Sequence, residues 1–415
     1  MPITSGSRPV RRAAACLWAA SVVLVPLSLP VFGVAACGSV GASPAAFTWL
    51  GAGSRVAQGG EEGTGAMRVL WQLSLIEQHD SHYIPVELAS PGFDPQHGRI
   101  YVGASDGRFR AFDVTGRVLY RYNLGSAIES APAVDAARDQ VIVAGADGRV
   151  HGLRGANAEV IFRGRAPGIV RTQPLLTDDA VFVATEDDAV VALSREDGAV
   201  LWTYRREAAG EFHIAGHAGL TIVGRRVIAA FSDGTVAALN LTDGSVLWER
   251  ATDVDIEATE GGAPVFTDVD TTPVVVDETI YIASFHAGLY ALSLSNGSVL
   301  WREPEQTTIT SLLASSGRLL VVSADRGLEV MDPDTRSVFW SHAIERGAPT
   351  RPVVTSQGLV LIGDTQGSFL ALALQSGQEL GRLDGGNGFS APAGVSYDIA
   401  MVLSNGGDAI CLRLN

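Results

Sequence analysis

The densest run of chemistry-bearing side chains is acidic. Asp253, Asp255, Glu257, Glu260, Asp268 and Asp270 fall within 18 residues. Several carboxylates close together could hold a hard cation such as Ca²⁺, but the spacing lacks the glycine and terminal glutamate of an EF-hand loop. The same carboxylates could orient a basic partner or form a solvated loop, so no metal is assigned. Two histidine pairs, His79/His82 and His213/His217, have no cysteine or third ligand nearby, which argues against zinc. No G-x-S-x-G, phosphate-binding loop or H-E-x-x-H is found, and no carboxylate spacing selects a catalytic pair. The chain is therefore expected to be non-enzymatic, with no catalytic residue and no cofactor. A second candidate contact is Glu211-Phe212-His213-Ile214-Ala215-Gly216-His217, where Phe212 and Ile214 alternate. They read as exposed apolar anchors or as side chains tucked under their own loop.

Chemistry of another kind sits near the N-terminus. Arg8, Arg11 and Arg12 precede an apolar stretch that ends in Val34-Ala35-Ala36-Cys37-Gly38. Small residues before a cysteine resemble a bacterial lipobox, in which the thiol is acylated and Cys37 becomes the first residue. The other reading is an ordinary secretory signal with Cys37 incidental. The lone cysteine at this place favours the lipobox. Residues 1–36 are then a lipoprotein signal peptide, and 37–66 a lipidated, flexible Gly/Ala/Ser-rich tether. By the sorting pattern of such lipoproteins, Gly38 in place of Asp favours the outer membrane. Removal of 1–36 takes away three arginines and no acid, so the net charge moves from −15 to −18. Of three cysteines only Cys411 would remain beside the anchor, which excludes an internal disulfide framework. The strongly acidic balance also excludes a nucleic-acid footprint.

The elements that must position these loops come from one repeated unit. Gly107, Gly148, Asp188, Gly234, Gly288, Gly327, Gly367 and Gly407 mark a tight turn between two apolar strands, at spacings of 41, 40, 46, 54, 39, 40 and 40. A period near 40 with three to four strands per unit is the sequence mark of a β-propeller. The turn glycines are expected to supply positive φ. Trp202, Trp248, Trp301 and Trp340 recur on the fourth strand and read as staples between blades. The eighth copy stops after two strands, and Met67-Arg68-Val69-Leu70-Trp71 carries the missing fourth-strand pattern. The expected fold is all-β: residues 67–415 form an eight-bladed β-propeller of four-stranded antiparallel blades, closed by the N-terminal strand. The two widest spacings place insertions at Arg205–Leu220 and Ala251–Thr271, on one face of the ring.

Leu239–Trp248 and Leu292–Trp301 follow approximately the A-x-[DN]-x-x-[ST]-G-x-x-x-W spacing, and so resemble the quinoprotein-like propeller repeat. Quinone dehydrogenases of that superfamily commonly have a vicinal cysteine pair, which is absent here. Asp268-Val269-Asp270-Thr271-Thr272-Pro273, then Gly288–Leu292, and Leu361-Ile362-Gly363-Asp364-Thr365-Gln366-Gly367 resemble BamB-type lipoproteins of the outer-membrane β-barrel assembly machinery. The resemblance covers essentially all of 37–415. It implies a non-enzymatic scaffold, anchored in the outer membrane through lipid on Cys37 and facing the periplasm. It implies binding to POTRA domains of the barrel insertase (BamA-type) and help in presenting unfolded outer-membrane proteins. Its partner surface would include Asp268 and Asp270, together with Phe212 and Ile214 from a loop written L-x-L-R-G in the family. Ala215 stands here where that pattern has arginine. Two alternatives remain: an envelope lipoprotein propeller that binds another protein or a saccharide, and a quinone-dependent enzyme.

Overall fold

The computed structural model describes residues 65–76, 86–206, 218–252 and 268–415. These form eight four-stranded antiparallel sheets, and no helix occurs among the described residues. The blades run through 92–123, 133–165, 175–205, 221–251, 274–303, 309–342, 353–384 and 394–414. In blades 1 to 7 the strands lie in chain order from the axis outward. First strands touch first strands of neighbouring blades, and except for Ile309–Ser315 they are short, down to Leu175–Leu176 and Val353–Val354. Second and third strands carry the core. Val181–Ala184 and Ala189–Leu193 are buried on both faces because each blade lies between two others.

Closure follows the expected route. Met67–Ser74 pairs antiparallel with Asp408–Leu414 and becomes the outer strand of blade 8. The amide of Ala66 donates to Leu380 O at 2.8 Å, tying the closing strand to blade 7. A sheet left open here would present unpaired backbone groups on both flanks.

The staples have a common construction. The Trp202, Trp248, Trp340 and Trp71 indoles donate to Leu241, Leu294, Leu374 and Val114 carbonyls of the next blade, at 2.9–3.2 Å. Each ring also lies against a left-handed turn glycine of that blade. A Cβ at Gly244 would stand 2.6 Å from Trp202 Cε3, and Gly297, Gly377 and Gly116 meet Trp248, Trp340 and Trp71 in the same way. The residue across the sheet from the aromatic is small at Trp202, Trp248 and Trp71, which face Ala192, Ala238 and Cys411, while Val330 faces Trp340. Every outer strand has one bulged residue, for example Leu201 between Val200 and Trp202, and an aromatic follows it in every blade but the seventh, where Gly381 does. Bulges bend an outer strand and make it a poor template for another chain.

The turn between second and third strands departs from expectation at one blade. Gly107, Gly148, Gly234, Gly288, Gly327 and Gly407 have positive φ, as does Asp188 at 54°. Gly367 does not. Its lack of a side chain serves close approach instead, since a Cβ there would lie 2.5 Å from Asp364 Oδ2.

Candidate partner-binding face

In an antiparallel blade, the turn from second to third strand and the connection to the next blade emerge on the same face. Asp268 to Pro273 makes that connection into blade 5. The amide of Val269 donates to Phe231 O at 3.3 Å, and that of Phe285 donates to Asp268 O at 2.9 Å. Thr271 is fully buried, and its Oγ1 accepts from the Ala283 amide at 2.9 Å. Thr272 Oγ1 accepts from the Gly219 amide at 2.9 Å, and Thr221 Oγ1 donates to Pro273 O at 2.5 Å, which joins the run to blade 4.

Much of this run is a device of the repeat. Ser130 donates to Ala144 O in blade 2, and Thr350 accepts from the Gly363 amide in blade 7. A hydroxyl two residues before proline thus satisfies the end of the second strand in several blades. What distinguishes blade 5 is the pair of carboxylates. Asp268 is only 3% exposed, whereas Asp270 is half-buried. The structure therefore separates two residues that the sequence treats alike, leaving Asp270 as the one nearer solvent. Phe212 and Ile214 lie outside the described residues, as do Asp253, Asp255, Glu257, Glu260, His79, His82, His213, His217 and Cys37.

Other polar groups on this face are committed to holding turns. Asp188, 1% exposed, accepts the Ser232 amide at 3.0 Å and also its hydroxyl, across the boundary of blades 3 and 4. Glu87 accepts the Ser105 amide at 3.0 Å and hydroxyl at 2.6 Å. Burial pushes its carboxyl above the usual range despite those bonds. Sequence reasoning passed over Arg171, which bridges Glu129 of the neighbouring connection at 2.5 Å and also Glu186. The available signal was position: Glu129, Arg171 and Asp270 each precede the Ser or Thr that opens a blade.

On the opposite face, Asp94, His97 and Asp139 bring three ligand-type atoms together. His97 Nδ1 lies 2.8 Å from Asp94 Oδ2. Arg99 reaches Asp94 at 3.7 Å and also pairs with Asp139, so a guanidinium already supplies the positive charge there. The donor set fits an ion-paired turn better than a metal centre.

Eight four-stranded antiparallel blades, closed by the N-terminal strand, define an eight-bladed repeat propeller. A family model described as outer membrane protein assembly factor BamB matches residues 105–342 and 287–384. The chain belongs to that family. It is 24% identical over 236 residues to the BamB of Yersinia pestis, covering 56% of this chain and 58% of that protein. With the BamB of Shewanella oneidensis it shares 24% over 325 residues, 73% of this chain and 80% of the relative. Among solved structures, BamB from Moraxella catarrhalis superposes with a TM-score of 0.67 at 19% identity, covering 80% of this chain and 98% of that one. The quinohemoprotein alcohol dehydrogenase of Comamonas testosteroni has the same fold at a TM-score of 0.62 and 12% identity, covering 84% and 76%.

Proposed function

We propose that this propeller is a non-enzymatic scaffold subunit of the outer-membrane protein assembly machinery. Its partner is the POTRA-bearing barrel insertase (BamA-type), and it aids folding and insertion of β-barrel outer-membrane proteins. The observation that carries the reading is the family match across blades 1 to 7. The run at blade 5 supports it: Asp270 lies half-open on the face that bears the long connections. In this reading lipid on Cys37 confines residues 67–415 to the periplasmic side of the outer membrane and raises the local concentration near the insertase. Asp270 orients a basic POTRA surface, Phe212 and Ile214 supply the apolar contact, and buried Asp268 shapes the connection that presents Asp270.

The test is affinity capture from native envelopes with the full-length protein, beside Asp270→Arg, Asp268→Asn and Phe212→Ser/Ile214→Ser variants. Co-purification of a POTRA-bearing insertase with wild type, lost in Asp270→Arg at an unchanged melting temperature, is the expected result. Capture that survives both Asp270→Arg and Phe212→Ser/Ile214→Ser removes this surface from the reading. Absence of any insertase with wild type removes the partner.

A further inference from the structure

A second charged surface, of opposite sign, lies on blades 1 and 2. In the third and outer strands of blade 2, Arg149 faces Arg165 and His151 faces Arg163 directly across the ladder. Residues two apart along a strand share a face, so all four side chains project from the same side of the sheet. That side looks toward blade 1. The Tyr122 hydroxyl lies 2.8 Å from His151 Nδ1, and Arg149 donates to Leu124 O at 3.0 Å. The other side of the sheet carries Phe162, which packs on Gly198 of blade 3.

The cluster is scarcely neutralised. Asp147 meets Arg149 at 3.2 Å. Arg163 and Arg165 are exposed and have no ion pair or hydrogen bond among the described residues. Like charges directly opposite in a sheet are destabilising. The repeat does not require them: the places of Arg149 and Arg165 are taken by Ser368 and Asp384 in blade 7, and by Thr235 and Ala251 in blade 4. A chain of net charge −15 therefore keeps a cationic ladder at one seam, at a cost in stability. Such a cost is what a binding surface leaves behind when its partner is absent.

We propose that the outer seam between blades 1 and 2 binds an extended acidic segment of a protein partner. The two rows of positive charge are two residues apart along the strand, about 6.6–6.8 Å, which matches carboxylates at alternate positions of an extended peptide. Guanidinium forks suit carboxylates, each taking two parallel hydrogen bonds. His151, only 8% exposed at the floor of the seam, is open to a side chain but not to a flat bilayer. The seam is separate from the connection into blade 5, so the ring would offer a basic site to one partner and an acidic site to another.

The probe is a short fluorescein-labelled peptide of alternating Glu and Ser, with a Gln-for-Glu control. Fluorescence anisotropy is read against the full chain in neutral detergent. Saturable binding of the Glu peptide is expected, absent with the Gln peptide and weakened by salt. Arg163→Ser/Arg165→Ser should weaken it at least about tenfold, while the melting temperature stays the same or rises. No saturable binding by wild type, or equal binding by the double variant, would overturn the proposal. So would a lowered melting temperature in that variant, which would mean that the arginines support the fold. Co-sedimentation with phosphatidylglycerol vesicles that needs Arg163 and Arg165, without peptide binding, would reassign the seam to lipid.

Discussion

The staple between blades 3 and 4 can be taken apart in two ways that should not add. Trp202 is 8% exposed and lies against Gly244, whose φ is 70°. Trp202→Ala removes a buried indole and its bond to Leu241 O, and should cost about 3–5 kcal/mol. Gly244→Ala adds a methyl group in the left-handed region, about 1–2 kcal/mol. It also drives that methyl to 2.6 Å from Trp202 Cε3 and 2.8 Å from Cδ2. Relief of that overlap requires the ring to shift, roughly another 1–3 kcal/mol. Once the ring is gone the overlap disappears and only the backbone cost of alanine remains. The double variant should therefore be less destabilised than the sum of the singles by about 1–3 kcal/mol. Urea unfolding of all four proteins, followed by far-UV circular dichroism, measures the coupling. Additivity within about 0.5 kcal/mol would refute the contact as the basis of the staple.

Deletion of Met67–Leu73 should abolish the cooperative unfolding transition, because it strips blade 8 of its outer strand; a normal melt would disprove closure as a global requirement. Cys411 is fully buried, and burial pushes its thiol up to about 12. Its reaction with a thiol reagent near pH 8 should proceed only at the rate of opening, so fast labelling of native protein would contradict the packing. Burial, then the Arg163 and Arg149 charges, hold His151 below its ordinary value. The unfolded chain then takes up the extra proton as pH falls through about 6.5, and stability present above that pH is lost below it. The urea midpoint should thus drop on acidification from about pH 7.5 to 5.5, and drop less in His151→Gln; equal drops would refute the assignment.

The ring was legible where one residue type answers one backbone need. Turn residues recur because the tight turn demands left-handed backbone in seven of the eight blades, which even Asp188 adopts, and their period counts the blades. The fourth-strand pattern at Met67–Trp71 could be matched to the incomplete copy at the other end for the same reason. Outside blade 6 the first strands carried little signal, since two or three residues near the axis are too few to show alternation. The glycine beneath Trp202, Trp248 and Trp340 appears in the repeat spacing (Arg336 takes that turn position in the blade after Trp301), but its contact is with the preceding blade. Trp202 and Gly244 are 42 residues apart, so the motif displays the parts without the pairing. The site was legible as composition and less so as geometry. Asp268 and Asp270 look equivalent as letters, yet the fold buries one and leaves the other half-buried. The cationic ladder of blade 2 is harder still to read. Arg149 and Arg165 become neighbours only once the register of two strands is known.

The strand that completes blade 8 also sets a schedule. Met67–Ser74 emerges early from any vectorial process, whether synthesis or export, but its partner Asp408–Leu414 emerges more than 300 residues later. Until then the early strand has no place in any sheet, and each finished blade waits in an open arc. Ring closure is thus a single late step rather than one spread along the chain. Molecules interrupted anywhere before blade 8 would share one defect, an arc with two raw ends. They would be easy for proteases to distinguish from the finished ring. The last pairing thus acts as a checkpoint on completeness.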